Sequence, residues 1–151
     1  MTQNTNLVAK AMKDFYNSDE SKIRHFVSVY TLAKTIGELE KLPDQTQEYL
    51  EIAALVCDID KNETQSECTK ARELLNSQNI DFEIVDRVCY IVEHFTDYDH
   101  ITGLDHQILL EAYMIVDFKE NATPRAEIIN QSNKFFMTNY GRAFLKKAFG
   151  I

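Results

Sequence analysis

Turn-forming residues are scarce in this chain. Its 151 residues include four glycines and two prolines, and no Asn-Gly or Asp-Gly pair marks a β-hairpin. Long segments carry apolar residues at spacings of three and four, which places them on one face of an α-helix. The pattern predicts an all-α fold, a compact bundle of about seven to eight helices in a single domain over residues 1–151. The predicted helices cover Leu7 to Tyr16, Ser21 to Lys41, Gln45 to Asp58, Ser66 to Asn76, Phe82 to Phe95, Leu104 to Lys119, Pro124 to Met137 and Tyr140 to Phe149. Asn17-Ser18-Asp19 and Pro43 supply the first breaks, and Pro124 suits the first turn of a helix because its missing N–H has no partner there anyway.

A chain of this length buries roughly 68 to 70% of the surface its extended form exposes, enough for a core that needs neither staple nor metal in order to fold. No run of about 20 apolar residues occurs. The start, Met1 to Asn6, is polar and lacks the charged-then-apolar order of a signal peptide. The expectation is a cytoplasmic protein with no membrane partner. Cys57, Cys68 and Cys89 are odd in number and show no CxxC spacing, so neither a zinc knuckle nor a disulfide framework is indicated, and the expectation is reduced, packed thiols. Sixteen basic residues against 24 acidic ones leave a net charge of -8, which repels a nucleic-acid polymer but not a small nucleotide carried with a cation. Walker, GxGxxG, HExxH and GxSxG signatures are absent.

One apolar run ends in chemistry. Ile52-Ala53-Ala54-Leu55-Val56 leads into Cys57-Asp58-Ile59, so a helix that reads as buried on all sides delivers a thiol and a carboxylate to the interior. A buried carboxylate needs a partner, and His25, the Tyr113 phenol or a helix N-terminus would serve. Cys57 reads as a small core hydrophobe or as a soft metal ligand.

The order His25, then Ala53 to Ile59, then Ile91-Val92-Glu93-His94, then Gly103-Leu104-Asp105 with Gln107-Ile108-Leu109 and Glu111-Ala112, resembles the HD-domain metal-dependent phosphohydrolase superfamily. Within it the chain is similar to small stand-alone bacterial HD proteins, from about Ile23 to Asp117 and more weakly through Phe136 to Gly141. The resemblance implies an HD-like helical bundle with four metal ligands in the order His, His-Asp, Asp. Carried over, the first histidine is His25 and the doublet's aspartate is Asp58, whereas Cys57 stands at the doublet's histidine and Tyr113 at the last aspartate. A phenol titrates near pH 10 and is a poor substitute for a carboxylate. Asp117, one turn beyond Tyr113, offers a compensating carboxylate. The segment after the doublet is also short, passing from Ile59 almost directly to Lys70 to Leu75.

Three functions follow as expectations. The first is an HD-like protein with a degraded centre, impaired in metal binding and catalysis, holding no cofactor and binding a small phosphorylated ligand or a protein. The second is an active phosphohydrolase for a nucleotide or other phosphoester, holding one divalent cation (Mn, Fe, Co, Ni or Zn) on His25, Cys57, Asp58 and Asp117. There Asp58 would bind the ion and orient water, and His94 or Lys61 would contact phosphate or assist proton transfer. The third is an interaction module, with Phe135, Phe136, Met137, Tyr140, Phe144 and Phe149 closing the core or forming a homodimer face. The plainer readings make His94 a surface or capping residue, His100 and His106 isolated residues of a loop or helix start, and Lys61 a solvated side chain. Phe95, Tyr98 and Tyr113 are expected to fill volume around the cleft.

Overall fold

The structure, a computed structural model, describes residues 2–60, 68–95 and 97–151. Among these residues it is all helical, with α1 Gln3–Tyr16, α2 Glu20–Leu39, α3 Asp44–Val56, α4 Thr69–Ser77, α5 Phe82–His94, α6 Gly103–Glu120, α7 Arg125–Phe135 and α8 Asn139–Phe149. A 3-10 turn, Tyr98–His100, lies between α5 and α6. Among the described residues no helix is long and apolar enough to cross a membrane.

The helices come in the predicted order, and their ends differ for identifiable reasons. α1 starts before Leu7 because the Thr2 hydroxyl accepts the Thr5 N–H at 3.1 Å, capping the first turn. Asp19 caps α2 in the same way through the Lys22 N–H. α3 stops at Val56, so Cys57 caps its C-terminus and Asp58 lies in the turn beyond. The predicted start of the fourth helix at Ser66 lies outside the described residues. The observed α4 draws its cap from far upstream, with Asp60 accepting the backbone N–H groups of Lys70 at 2.9 Å and Ala71 at 3.1 Å.

Every side chain from Leu50 to Val56 is buried, and α3 runs through the middle of the molecule against α1, α2, α5 and α6. Burying each of its larger aliphatic side chains contributes about 1.5–3 kcal/mol. α6 is the second internal helix, buried without interruption from Asp105 to Ala112. Its far side carries Leu110, Met114, Ile115 and Phe118 into a second cluster with Ile128, Phe136 and Leu145. Phe135, Phe144 and Phe149 pack against that cluster, while Met137 and Tyr140 are exposed. The C-terminal aromatics therefore divide between core and surface. Tyr98 does not join the cleft near Tyr113; its ring stacks on Phe135 with centroids 4.0 Å apart.

Two internal carboxylates tie α6 to its neighbours. Asp105 accepts two hydrogen bonds from Arg87 of α5, from Nε at 3.0 Å and from a terminal nitrogen at 2.6 Å, a fork that a guanidinium fits well. Gly103 opens the helix with φ +80 directly beside this pair, where a Cβ would meet Asp105 Oδ1 at 3.0 Å. Glu111, fully buried, accepts from Gln107 Nε2 (2.6 Å), the backbone N–H groups of Met137 (3.0 Å) and Thr138 (3.1 Å), and the Thr138 hydroxyl (2.7 Å). The Met137 and Thr138 donors lie at the entry to α8, the end of a helix that favours negative charge. Gly141 must be glycine here, since a Cβ would fall 1.8 Å from Glu111 Oε1.

His106 is wholly buried, not a loop or exposed helix-start residue. Its Nδ1 accepts the Thr102 N–H at 3.2 Å, so Nε2 carries the proton and donates to the His94 carbonyl at 3.1 Å. Burial lowers its pKa below the usual histidine value.

Glu111→Ala would leave the buried Thr138 N–H and the part-buried Met137 N–H without their acceptor, and the expected loss is about 2–4 kcal/mol in urea unfolding. Gly141→Ala, which drives a methyl group into the same carboxylate, should destabilise by a comparable amount, about 2–3 kcal/mol.

Candidate functional site

Asp58 sits just past the C-terminus of α3, where the last backbone carbonyls make the surroundings negative. A cation is the natural neighbour there, and α2 supplies one. His25, in the second turn of α2, directs Nε2 at Asp58 Oδ2 in an ion pair. The other ring nitrogen, Nδ1, contacts Glu120 Oε1 at 3.0 Å and Oε2 at 2.9 Å. Glu120 and Tyr113 are both on α6, seven residues or two turns apart and hence on one face. The Tyr113 hydroxyl donates to Asp58 Oδ1 at 3.2 Å, and its ring stands edge-on to His25 with centroids 5.6 Å apart. Phe95 closes the other side of Tyr113 at 4.9 Å.

The charges in this group follow from the contacts. The hydrogen bond to Asp58 raises the His25 pKa to about 9, against an opposing effect of burial and with further help from Glu120. At neutral pH the ring is an imidazolium held between two carboxylates. Burial, followed by the charge of Asp58, pushes the Tyr113 phenol well above its ordinary value, so it remains a neutral donor. Tyr16 is pushed up to about 12, by burial first and then by Asp58.

Tyr16, His25, Asp58 and Glu120 line a cleft of about 640 Å³. Phe15, Tyr16 and Phe26 form its aromatic wall, and Lys22 and Lys70 bring positive charge to a rim that also carries Asp19 and Glu120. The Lys22 ammonium lies 5.5 Å from the centre of the Tyr16 ring, a cation–π contact. Lys70 reaches the cleft because Asp60 caps α4, a link that local sequence does not reveal.

The residues singled out in the sequence separate in space. His25 and Asp58 come together. Cys57 is buried, with its thiol donating to the Ala54 carbonyl at 3.5 Å. The Asp117 carboxylate accepts from Asn121 at 2.8 Å and does not line the cleft. Glu120, which the sequence reading passed over, takes the second nitrogen of His25; its seven-residue spacing from Tyr113 was the available signal. His94 faces Tyr90, Asp97 and His100 instead of the cleft. Lys61 lies outside the described residues.

The donor set fits a hard divalent cation poorly. Asp58 and Glu120 meet opposite edges of one imidazole, so no single ion takes both carboxylates and a ring nitrogen. Among the described residues, neither His25 nor Asp58 belongs to any group of three His, Cys, Asp or Glu side chains able to converge on one ion. Tyr113 offers a neutral phenol where a carboxylate would be required.

Because the folded-state pKa of His25 lies above the ordinary 6.5, its charge stabilises the fold fully below that value and progressively less as pH rises through about 9. Solvent at the cleft mouth screens the pair, leaving on the order of 1–2 kcal/mol. Urea unfolding at pH 6, 7.5 and 9.5 should show the wild type losing this increment relative to His25→Gln, whose own stability lacks it. Comparison with protein-family models, with curated proteins and with solved structures gives no match for this chain.

Proposed function

We propose that this chain is a degenerate HD-type domain in which a protonated histidine takes the place of a metal ion, and that its cleft binds a small phosphorylated ligand without hydrolysing it. The observation that carries this reading is the closed set of contacts at its centre. Both oxygens of Asp58 are engaged, by His25 and Tyr113, and both nitrogens of His25 are engaged, by Asp58 and Glu120. An imidazolium between two carboxylates offsets one of the two negative charges that a divalent cation would otherwise balance. Phosphoester hydrolysis of the metal-dependent kind needs an ion that acidifies water and withdraws charge from the phosphoryl oxygens, and this donor set is spent on protein partners.

The cleft supports the binding half of the proposal. Its volume of about 640 Å³ falls in the range of about 300–1,000 Å³ common for small-molecule sites. Lys22 and Lys70 at its rim offer point charges to a phosphate, and Phe15, Tyr16 and Phe26 offer apolar and aromatic surface to the remainder of a ligand.

The test has two arms. Tag-free wild type and Asp58→Ala are assayed against a panel of nucleoside monophosphates and simple phosphomonoesters with Mn, Co, Ni or Zn supplied. The expected result is no turnover that depends on Asp58; hydrolysis abolished by Asp58→Ala would establish the competing phosphohydrolase. The same panel is followed by calorimetry, where Lys22→Ala should weaken binding of whichever compound registers by about tenfold, the loss of one charge-assisted contact. Absence of any binding to the panel would count against the ligand.

A further inference from the structure

The residues His94, Asp97 and His100 leave the cleft but meet one another. α5 ends at His94; the Asp97 N–H donates to the His94 carbonyl at 3.0 Å, and the His100 N–H to the Asp97 carbonyl at 3.0 Å. His94 closes α5, Asp97 is extended backbone and His100 ends the 3-10 turn, and these two i, i+3 hydrogen bonds draw the three side chains together. One nitrogen of each histidine and one carboxylate oxygen of Asp97 all lie within 4.8 Å of one another. Asp97 Oδ2 is 2.6 Å from His100 Nδ1 and 3.8 Å from His94 Nδ1, and the two imidazole rings stack with centroids 5.4 Å apart. Among the described residues this is the one group of three such side chains that can close on a single ion.

We propose that His94, Asp97 and His100 form a binding site for a borderline divalent transition cation, with Zn²⁺ as its type. Ligand bonds of about 2.0–2.2 Å to nitrogen and oxygen place neighbouring donor atoms about 3.3–3.6 Å apart in a tetrahedron. The present distances straddle that value, and the partly exposed side chains close the difference by small rotations. Two imidazoles with one carboxylate select Zn, Co, Ni or Cu over Mg and Ca, which demand more oxygen ligands. Three protein donors leave at least one position for water or an external ligand.

The surroundings hold the carriers in place. Buried His106 donates Nε2–H to the His94 carbonyl, which fixes the end of α5 from below. Tyr90 packs its ring on His94 with centroids 4.6 Å apart, and its hydroxyl reaches the His100 carbonyl at 3.5 Å. The overall net charge of -8 favours cation uptake. This site is separate from His25 and Asp58, and the proposal stands whether or not the cleft binds a phosphorylated ligand.

The test uses the tag-free, chelator-stripped full chain, titrated with Zn²⁺ in competition with a chromophoric chelator and with Co²⁺ as a spectroscopic probe. Expected are one zinc per chain, Co²⁺ d–d absorption without a thiolate charge-transfer band, and no response to Mg²⁺. His100→Gln and Asp97→Asn should each weaken zinc binding at least about tenfold, with circular dichroism unchanged because both side chains lie at the surface. Asp58→Ala should leave the affinity unaltered. Absence of binding, a cobalt–thiolate band, or indifference to His100→Gln would each overturn the site. Zinc that disappears in Asp58→Ala while surviving His100→Gln would overturn it too, and would place the metal in the cleft.

Discussion

A carboxylate at the end of a buried helix has to be paired. α3 is enclosed by four other helices, and its end delivers Asp58, largely shielded from solvent, to the wall of a cleft where the helix terminus is already negative. The arrangement of α2 and α6 around it answers that constraint. α2 brings the cation His25, and α6 brings the neutral donor Tyr113 and, two turns on, the second carboxylate Glu120. The site thus joins one imidazolium to two carboxylates and a neutral phenol at the meeting of three helices, and its electrostatics are set by how those helices pack.

The same economy recurs in the rest of the core. Asp105, Glu111 and Glu51 are all buried, and each finds donors on a neighbouring element: Arg87 for Asp105, the entry to α8 for Glu111, and Tyr30 for Glu51. Each tie joins segments distant in sequence, so these polar contacts specify how the helices sit against one another, while apolar burial supplies most of the driving force. Gly103 and Gly141 belong to two of these ties, since both lie where the backbone passes close to a carboxylate.

Helix order and the central position of α3 were legible from the spacing of apolar residues, because an element buried on all sides has to be apolar on all sides. His25 and Asp58 were legible as candidates through chemistry that a buried carboxylate makes necessary. Less could be read where a long-range contact decides the environment. His106 looked like a surface residue at a helix start and is instead the buried donor that holds the end of α5. Tyr98 looked like a wall of the cleft and stacks on Phe135. Asp117 and Glu120 are both acidic residues on α6, and only their angular position relative to α2 assigns Glu120 to His25.

By itself the sequence determined that the chain is helical, where its helices run, which of them is central, and that a carboxylate arrives there next to a thiol. Those features depend on local backbone preference and on the periodicity of apolar side chains, both encoded over a few turns. The tertiary structure alone decided which groups share that carboxylate, that His25 is charged, and that His94 turns away toward Asp97 and His100. Such choices depend on distances between helices and on the desolvation of individual atoms, quantities that exist only once the helices have packed.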